Sequence, residues 1–358
     1  MHPLGDGRDR RRARPDPRDG AAGTLFGSGG RRKLGALKVS SIGLAAVLCA
    51  GAAGGAIAAR RAPGRTVAVT FDDLPAVAVV GDGVAAWRGL NERLVAAIRR
   101  HRVPAIGFVN ESKLSDGSGR TDPATVALLE MWLEDGLELG NHTWSHRDLH
   151  RSSLEVWKDE VTRGETVTRT LLARRGLVPR FFRHAQLHTG RDLDTKRATE
   201  KFLEERGYRV APVTIDNSEW VFAKAYENAS DRGEAALADR IAREYVPYMA
   251  RTFDYFERQS RALFGREIAQ VLLLHANSLN ADRFDELARM MENRGYRFIS
   301  LEEALRDAAY RTRDTYTGAE GITWLHRWAL STGRKKAILP NGPLAPPFVL
   351  KESGIPAE

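Results

Sequence analysis

The sequence contains almost no cysteine, and most of it carries no net charge. The single cysteine of 358 residues, Cys49, lies near the N-terminus, so the rest of the chain has no intrachain disulfide. Residues 1–65 hold 13 Lys or Arg and 4 Asp or Glu, which leaves 42 basic and 42 acidic residues for 66–358. The formal charge of +9 therefore belongs to the N-terminal segment. The larger part lacks the net positive charge expected of a nucleic-acid-binding domain.

The chain also lacks a Gly-x-Gly-x-x-Gly motif after its first predicted strand, so nothing suggests a dinucleotide. From Arg65 onward, short apolar segments alternate with helical ones, which predicts parallel strands joined by crossover helices. The predicted strands are 66–71, 104–109, 137–141, 181–183, 210–215, 268–275 and 297–300. The predicted helices are 87–101, 123–135, 154–174, 195–206, 234–264, 284–294 and 301–309.

The N-terminal segment has the pattern of an export signal. Residues 1–30 are rich in Arg, Asp, Gly and Pro without a hydrophobic period, which predicts a disordered basic leader. In residues 31–61, basic residues flank a 21-residue apolar run at 39–59. This predicts a signal peptide or, because the run is long enough, a single membrane anchor. We therefore expect an exported protein, periplasmic, in the cell envelope or secreted, that meets a membrane only through that anchor.

Two adjacent carboxylates, Asp72 and Asp73, follow the apolar strand predicted at 66–71. Neighbouring anions repel each other, and removing each from water is costly unless a positive group lies nearby. An N-cap at the start of the next element would account for one aspartate but not for two. The pair is therefore a candidate metal or catalytic site.

Two histidines four residues apart, His142 and His146, follow another short apolar segment at 137–139. One helical turn would place both imidazole rings on the same side of the chain. Neutral imidazole is the commonest metal ligand, and two histidines with one carboxylate leave coordination positions for water and substrate. His150 keeps a second pairing open, because it follows His146 at the same spacing.

Five short motifs between residues 66 and 300 resemble, in order, those of the NodB-type polysaccharide deacetylases, which are metal-dependent carbohydrate esterases. The motifs are Thr70-Phe71-Asp72-Asp73, His142-Thr143-Trp144-Ser145-His146, Phe182-Arg183-His184-Ala185-Gln186, Asp216-Asn217-Ser218-Glu219-Trp220 and Leu273-Leu274-His275. The second is similar to the family's His-[Ser/Thr]-x-x-His motif, which favours His142 with His146 over His146 with His150. Each motif is weak alone, whereas the ordered set is specific.

The resemblance implies a distorted (β/α) barrel of about seven parallel strands with extra helices. Loops at one end of such a barrel converge, so residues far apart in the sequence would meet there. It implies a deacetylase domain at 62–312. The residue pattern beyond this domain predicts an extension at 313–358 that packs on it before a loose, proline-rich tail. An open doubly wound sheet is the alternative that the residue pattern alone leaves open.

The resemblance further implies a metal centre of Asp73, His142 and His146, with Zn²⁺ the favoured divalent cation. This cation would activate the water molecule that attacks the substrate. Asp72 stands at the family's position for the general base, and His275 at its position for the general acid.

Further residues would support this centre. Arg183 would pair with Asp72 and hold it in place. Either Asp216 or Glu219 would orient His275, and the sequence does not decide between these two acids. Substrate contacts are expected from Trp220, Gln186 and Leu273.

The activity that the resemblance implies is the removal of acetyl groups, N-acetyl favoured over O-acetyl, from a polysaccharide or related glycan. Two positions depart from the family pattern: Ala185 replaces a proline, and Glu219 replaces an aspartate. The first change would loosen one side of the oxyanion site, where one donor is worth about 3–4 kcal/mol. Two alternative functions are hydrolysis of another non-peptide C–N bond in a small molecule, and glycan binding without catalysis.

Two regions lie outside the motifs. The segment 221–266 is longer than a crossover requires, and we expect a helical elaboration outside the barrel, with a substrate-selecting cap as the alternative. Trp324 and Trp328 are four residues apart. They are expected to pack on the barrel as one stripe of a helix rather than to form a sugar platform, because tryptophan is usually largely buried.

Overall fold

The structure, a computed structural model, describes residues 64–116 and 118–355. The predicted export signal and Cys49 lie outside these residues. The described chain is built on a sheet of seven parallel strands. They are β1 (Arg65–Leu74), β2 (Ile106–Val109), β3 (Glu138–Asn141), β4 (Phe181–Phe182), β5 (Arg209–Val210), β6 (Gln270–His275) and β7 (Tyr296–Phe298).

The strands follow the order β5-β4-β3-β2-β1-β6, and β7 pairs with the first residues of β1. Beyond β5, Ile215 forms an isolated parallel bridge with Leu272 of β6. The chain that follows β5 therefore connects the two ends of the strand order, and the sheet curls on itself. The predicted distorted barrel of about seven parallel strands is confirmed. The strand predicted at 210–215 is regular only at its start.

Helices surround the sheet. They are α1 (Gly83–Arg100), α2 (Pro123–Glu134), α3 (Leu154–Arg163), α4 (Thr166–Ala173), α5 (Leu193–Glu205), α6 (Glu219–Asp231), α7 (Ala235–Phe264), α8 (Ser278–Asn293), α9 (Leu301–Ala304), α10 (Trp324–Ser331) and α11 (Pro347–Ser353). Short 3₁₀ helices occupy Glu111–Leu114, Leu149–Arg151, Ala185–Leu187, Ala308–Arg311 and Lys335–Ala337. Within the described residues, every helix is too short or too polar to cross a bilayer.

The single helix predicted at 154–174 is two helices, α3 and α4. Gly164 ends the first of them and lies against the loop that carries the predicted histidine motif. A Cβ at Gly164 would come within 2.5 Å of the backbone carbonyl carbon of Thr143. The close approach of this loop therefore requires a residue without a side chain at the break.

Alternate residues of β1 serve two different apolar clusters, because successive side chains of a strand point to opposite faces. Val67, Val69 and Phe71 join the large cluster that includes the helices. Ala68 joins a smaller cluster to which β2, β4 and β6 also contribute. Both faces of β1 are thus buried, as is usual for parallel sheets. Asp72 continues the series that contains Ala68, on the enclosed side of the sheet.

The segment 221–266 forms most of α6 and all of α7. Trp324 and Trp328 lie on α10 and are almost fully buried, at 6% and 1% exposed, as their spacing predicted. The last described residues differ from the expected loose tail. They form α11, which packs on α6, because Val349 provides a fully buried apolar side chain.

Candidate metal and catalytic site

Asp72 and Asp73 both line a cavity of about 790 Å³ at the end of β1. Asp72 still belongs to the ladder, opposite His275 of β6. Asp73 has a left-handed backbone conformation, with φ at 66°, and the pairing of β1 with β2 shifts at this point. Successive side chains of a regular strand would point to opposite faces. The left-handed residue instead lets both carboxylates face one cavity.

Two cations, one fully buried and one half-buried, offset the cost of placing these carboxylates together. Arg183 is fully buried, and its Nη1 lies 3.3 Å from Asp72 Oδ2. The Lys113 ammonium donates to the Asp73 carbonyl oxygen at 2.9 Å and lies 4.0 Å from Asp73 Oδ1. Burial raises the pKa of Asp72, although Arg183 opposes the rise. Burial would also raise the pKa of Asp73, but Lys113 and the nearby histidines hold it below its usual value.

His142 is oriented by the backbone. Its Nδ1 lies 2.8 Å from the carbonyl oxygen of Arg183. A carbonyl only accepts, so Nδ1 carries the hydrogen and Nε2 keeps a free lone pair, an arrangement typical of histidines that bind metals. This Nε2 lies 3.7 Å from Asp73 Oδ1, and His146 Nε2 lies 3.8 Å from the same oxygen.

The two histidines do not share a helical turn, as the spacing had suggested. Residues 142–148 form an irregular loop in which Thr143 and His146 have φ values of 68° and 57°. The loop is fixed by Glu160 of α3, whose carboxylate accepts from Ser145 N–H at 2.7 Å. The rings still meet, with centroids 4.8 Å apart. Left-handed residues, rather than helix geometry, bring them together.

The donor set of Asp73, His142 and His146 fits a divalent cation. One ligand atom from each residue lies within 4.8 Å of the others. Asp73 Oδ1 is buried without a hydrogen-bond partner. Burial lowers the pKa of both histidines to about 4, so both are neutral at pH 7 and able to bind a metal. A buried unpaired carboxylate oxygen facing two neutral imidazoles is costly unless a cation occupies the space between them.

His150 belongs to a different group. Its ring stacks on that of His188 at 3.9 Å, and His188 Nδ1 lies 2.8 Å from Asp148 Oδ1. These three residues could also hold a cation. However, the Gly190 N–H donates to His150 Nε2 at 3.2 Å, which leaves the ring hydrogen on Nδ1 and no free lone pair. The structure thus brings His142, and not His150, to His146.

His275 lines the same cavity as the predicted metal ligands and contacts Glu219. Its Nδ1 is 2.7 Å from Glu219 Oε2. Burial alone would lower the pKa of His275, but Glu219, with Asp73 and Asp72, raises it to about 9. Asp216, the other candidate for this role, lines the same cavity. The direct contact between Glu219 and His275 favours Glu219 for the orienting role that the sequence left open between these two acids.

The predicted substrate-contacting residues, Trp220, Gln186 and Leu273, all line the cavity. Trp220 is 39% exposed and offers its indole ring to whatever enters. Gln186 has a left-handed conformation, with φ at 53°. Within the described residues, no protein acceptor binds its backbone N–H. A free N–H beside the catalytic groups is a suitable oxyanion donor.

The C-terminal extension braces the loop that carries Gln186. Arg327 is almost fully buried, and its guanidinium donates to the carbonyl oxygen of Leu187. Gly321 packs against the same loop, and a Cβ there would overlap the carbonyl oxygen of Gln186. The loop, expected to be loose because Ala185 replaces a proline, is therefore held by contacts from a distant part of the chain.

Three supporting residues were not predicted. Lys113 lies in a 3₁₀ helix without a motif. Asn280 Nδ2 donates to Glu219 Oε1 at 2.7 Å and to the His275 carbonyl oxygen at 2.9 Å. Arg327 follows the last motif by about fifty residues. Only the tertiary structure brings these side chains to the site.

Comparison with known proteins supports the resemblance. Residues 59–201 match the family model described as polysaccharide deacetylase. This stretch holds the Asp-Asp step, the histidine motif and Arg183, so the resemblance to the polysaccharide deacetylases is confirmed there. An uncharacterised 30.6 kDa protein of the fumA 3′ region in Geobacillus stearothermophilus is 23% identical over 229 residues, which are 64% of this chain and 70% of that protein.

Several solved structures are similar. A family 4 carbohydrate esterase from Streptomyces lividans, in complex with acetate, is 17% identical with a TM-score of 0.42, over 68% of this chain and 96% of that one. Peptidoglycan deacetylase PdaC from Bacillus subtilis is 19% identical with a TM-score of 0.40, over 68% of this chain and 93% of that one. A family 4 pseudoenzyme from Bacillus anthracis is 15% identical with a TM-score of 0.42, over 68% of this chain and 66% of that one. Likenesses this distant carry no functional inference.

Proposed function

We propose that this chain is a metal-dependent deacetylase that removes acetyl groups, N-acetyl in preference, from a glycan. One observation carries the proposal: Asp73 Oδ1 is buried without a hydrogen-bond partner and faces two free imidazole nitrogens. Asp73, His142 and His146 would hold the cation, with Zn²⁺ favoured by a set of three N and O ligands. When bound, the cation supplies Lewis acidity toward the acyl carbonyl and toward an attacking water.

Asp72 is the proposed general base. It shares the cavity with Asp73. Arg183 donates to its Oδ2, whereas its Oδ1 has no hydrogen-bond partner among the described residues and is available to accept a proton. Burial raises its pKa, which brings its basicity closer to what proton transfer near neutral pH needs. Arg183 also donates to Thr70 Oγ1 at 3.0 Å and to the Ala211 carbonyl oxygen at 2.9 Å. These bonds fix the guanidinium, and through it they fix the base.

His275 is the proposed general acid. With a pKa of about 9 its imidazole is protonated at neutral pH, and Nε2 is the position left to donate because Nδ1 contacts Glu219. A sugar amine cannot leave as an anion, so C–N cleavage requires a proton on the leaving nitrogen. A protonated imidazole held at neutral pH therefore favours an amide over an ester substrate.

The remaining side chains would position the acetyl group. The free N–H of Gln186 would donate to the oxygen that becomes negative during the attack. Trp220 and Leu273 would enclose the methyl group on apolar surface. An acetylated sugar fits this cavity of about 790 Å³.

The test combines metal content with acetate release from acetylated peptidoglycan, chitin oligomers, poly-N-acetylglucosamine and acetylxylan. Purified residues 62–358 should contain about one divalent cation and release acetate from at least one N-acetylated glycan. Asp72→Asn should keep the cation and lose acetate release, whereas His142→Ala should lose both. A chain that binds the cation and the glycan without releasing acetate would be a glycan-binding protein instead.

We also propose that residues 1–61 export the chain, on the sequence pattern alone. A fusion of residues 1–61 to a reporter active only outside the cytoplasm tests this. Reporter activity is expected, and replacing the apolar run at 39–59 with polar residues should abolish it. Fractionation of the fusion would separate a cleaved signal from a retained anchor.

A further inference from the structure

The segment 221–266, for which the sequence left a substrate-selecting cap open, contributes to the catalytic cavity. Ala223, Lys224 and Glu227 of α6 line this cavity together with Trp220, which precedes the segment. Spacings of three and four residues place these side chains on one face of the helix. One face of α6 therefore forms part of the wall of the catalytic cavity.

A residue that follows every motif lines the same cavity. Ile355, the last described residue, lies just beyond the end of α11 and is half-buried. Its side chain packs at the edge of the large apolar cluster that includes the helices. It belongs to the stretch that the composition predicted as a loose tail, so the sequence did not assign it to the site.

Hydrogen bonds to α6 hold Ile355 in place. Asn228 Nδ2 of α6 donates to the carbonyl oxygens of Glu352 at 3.0 Å and Ser353 at 3.5 Å. Gly354 ends α11 in a left-handed conformation, with φ at 69°, and the Ile355 N–H then donates to Ser353 Oγ at 3.2 Å. The same helix thus lines the cavity with one face and holds the segment that carries Ile355.

Ile355 is not the only half-buried apolar side chain in this wall. Val77 and Ala78, from the loop after β1, also line the cavity and are half-buried. The Val77 N–H donates to the Ala276 carbonyl oxygen at 2.9 Å, which fixes this loop beside the end of β6. With the exposed ring of Trp220, these side chains offer more apolar surface than one acetyl methyl group covers. The remaining surface is available to another part of the substrate.

We infer that Ile355 is a specificity-determining residue that contacts the glycan beyond its acetyl group. The inference rests on the proposed function, because it concerns the same cavity. Sugar rings present C–H groups on their faces, and apolar side chains in a ligand cavity pack against such groups. Ile355 has no side-chain group that transfers a proton or stabilises charge. Its contact therefore contributes to the affinity for the substrate and not to the chemical step.

The test is calorimetric titration of the full chain carrying Asp72→Asn, which removes turnover, with a chitin tetramer and with soluble acetylxylan. At least one of these glycans should bind. Adding Ile355→Ala should weaken that binding about tenfold, the low end of what a missing methylene costs in an apolar pocket, because Ile355 is only half-buried.

Ile338→Ala is the matched control. Ile338 is also half-buried against the large apolar cluster and also lies in the C-terminal extension, but it is not part of the cavity wall. The same truncation there should leave the glycan affinity unchanged. An equal loss of affinity in both variants would show a general loosening of the extension and would overturn the contact.

Acetate release by the chain with Asp72 intact gives a second readout. Ile355→Ala should raise KM for the same glycan about tenfold and leave kcat unchanged, because the lost contact is equal in the ground state and the transition state. Ile355→Leu conserves the side-chain volume and should keep both constants close to those of the wild type. A fall in kcat at constant KM would show that Ile355 acts through the catalytic groups, against the inference.

The outcomes separate this inference from the proposed function. Equal glycan affinity with and without Ile355→Ala would overturn the role of Ile355, even in a chain that releases acetate. Weaker binding in Ile355→Ala, with no acetate released by the wild type, would keep Ile355 as a glycan contact and overturn the deacetylase activity. If neither glycan binds, both proposals are contradicted.

Discussion

Glu219 Oε2 lies 2.7 Å from His275 Nδ1, and the other oxygen of the same carboxylate accepts from Asn280 at 2.7 Å. Glu219 is 1% exposed, so this contact is shielded from water and salt. The departure from the family pattern at this position thus does not remove the partner of the proposed acid. The longer side chain, placed at the start of α6, still reaches the imidazole.

The first prediction concerns this pair. Glu219→Gln removes the charge that opposes the effect of burial, so the pKa of His275 falls below 9. His275 is then deprotonated at a lower pH, and the alkaline loss of activity in the profile of kcat against pH shifts to lower pH. At pH 8 we expect kcat to fall by up to about 10²-fold, the low end of what general acid catalysis contributes. The measurement is kcat against pH from 5 to 10.

The control for this pair is Asp216→Asn, which removes the other acid of the same motif. Its alkaline limb should stay at the wild-type position, even if the rate changes. A limb that moves equally in both variants would mean that Glu219 is not the specific partner of His275.

The second prediction concerns the cation. A ligand that binds only the folded state stabilises it by RT ln(1 + [L]/Kd), which is about 2.7 kcal/mol at 100 times Kd. Added Zn²⁺ should therefore raise the Tm of chelator-treated protein, and His142→Ala should abolish this rise. The measurement is thermal unfolding with and without Zn²⁺.

His150→Ala serves as the matched variant for the cation. It removes an imidazole at the same spacing from His146 but from the separate group with His188. The Zn²⁺-dependent rise in Tm should persist. If His150→Ala abolished the rise and His142→Ala did not, the cation would belong to the Asp148 group.

The third prediction concerns Arg183. Arg183→Met would leave Asp72 buried without its cation, and breaking a buried pair in this way costs about 3–5 kcal/mol. Arg99→Met removes an exposed arginine that pairs with Asp135, and such pairs contribute about 0–1 kcal/mol. Urea unfolding of both variants measures the difference. If both variants lost the same free energy of unfolding, the buried pair of Arg183 and Asp72 would contribute no more than an ordinary surface pair.

The fourth prediction concerns Gly321. Gly321→Ala would force the carbonyl of Gln186 to shift, because a Cβ at this position overlaps it. Overpacking of this kind lowers the free energy of unfolding by about 1–3 kcal/mol. If Gln186 N–H is the oxyanion donor, kcat should fall more than KM rises. Gly64→Ala, where a Cβ meets nothing within 4 Å, should leave both unchanged.

Sequence patterns identified the parts of this protein that obey local rules. Asp72 was found because it follows an apolar strand, whereas His275 was found through a family motif. His142 and His146 were found through their four-residue spacing, and a family motif favoured this pair over His146 with His150, although the helical reason for their proximity was wrong. No local pattern marks the two left-handed residues that bring the rings together, because they depend on Glu160 of a helix that follows.

Lys113 and Arg327 could not be predicted for a related reason. Each is an ordinary basic residue in the sequence, and its role depends on a backbone carbonyl contributed by another segment. Likewise, α11 lies in a proline-rich stretch that has the composition of a tail. Its order depends on the surface that α6 offers to Val349.

The contact of Arg327 with the loop around Leu187 has a consequence for protein engineering. The barrel and the region after residue 312 are not exchangeable parts, because the loop that carries the proposed oxyanion donor is held by a side chain from beyond the barrel. A chimaera that combines residues 62–312 with another C-terminus would inherit every motif residue, but it would keep this support only if the new segment supplied an equivalent donor. Any transplant of the active site therefore has to carry the stretch from Gly321 to Arg327 with it.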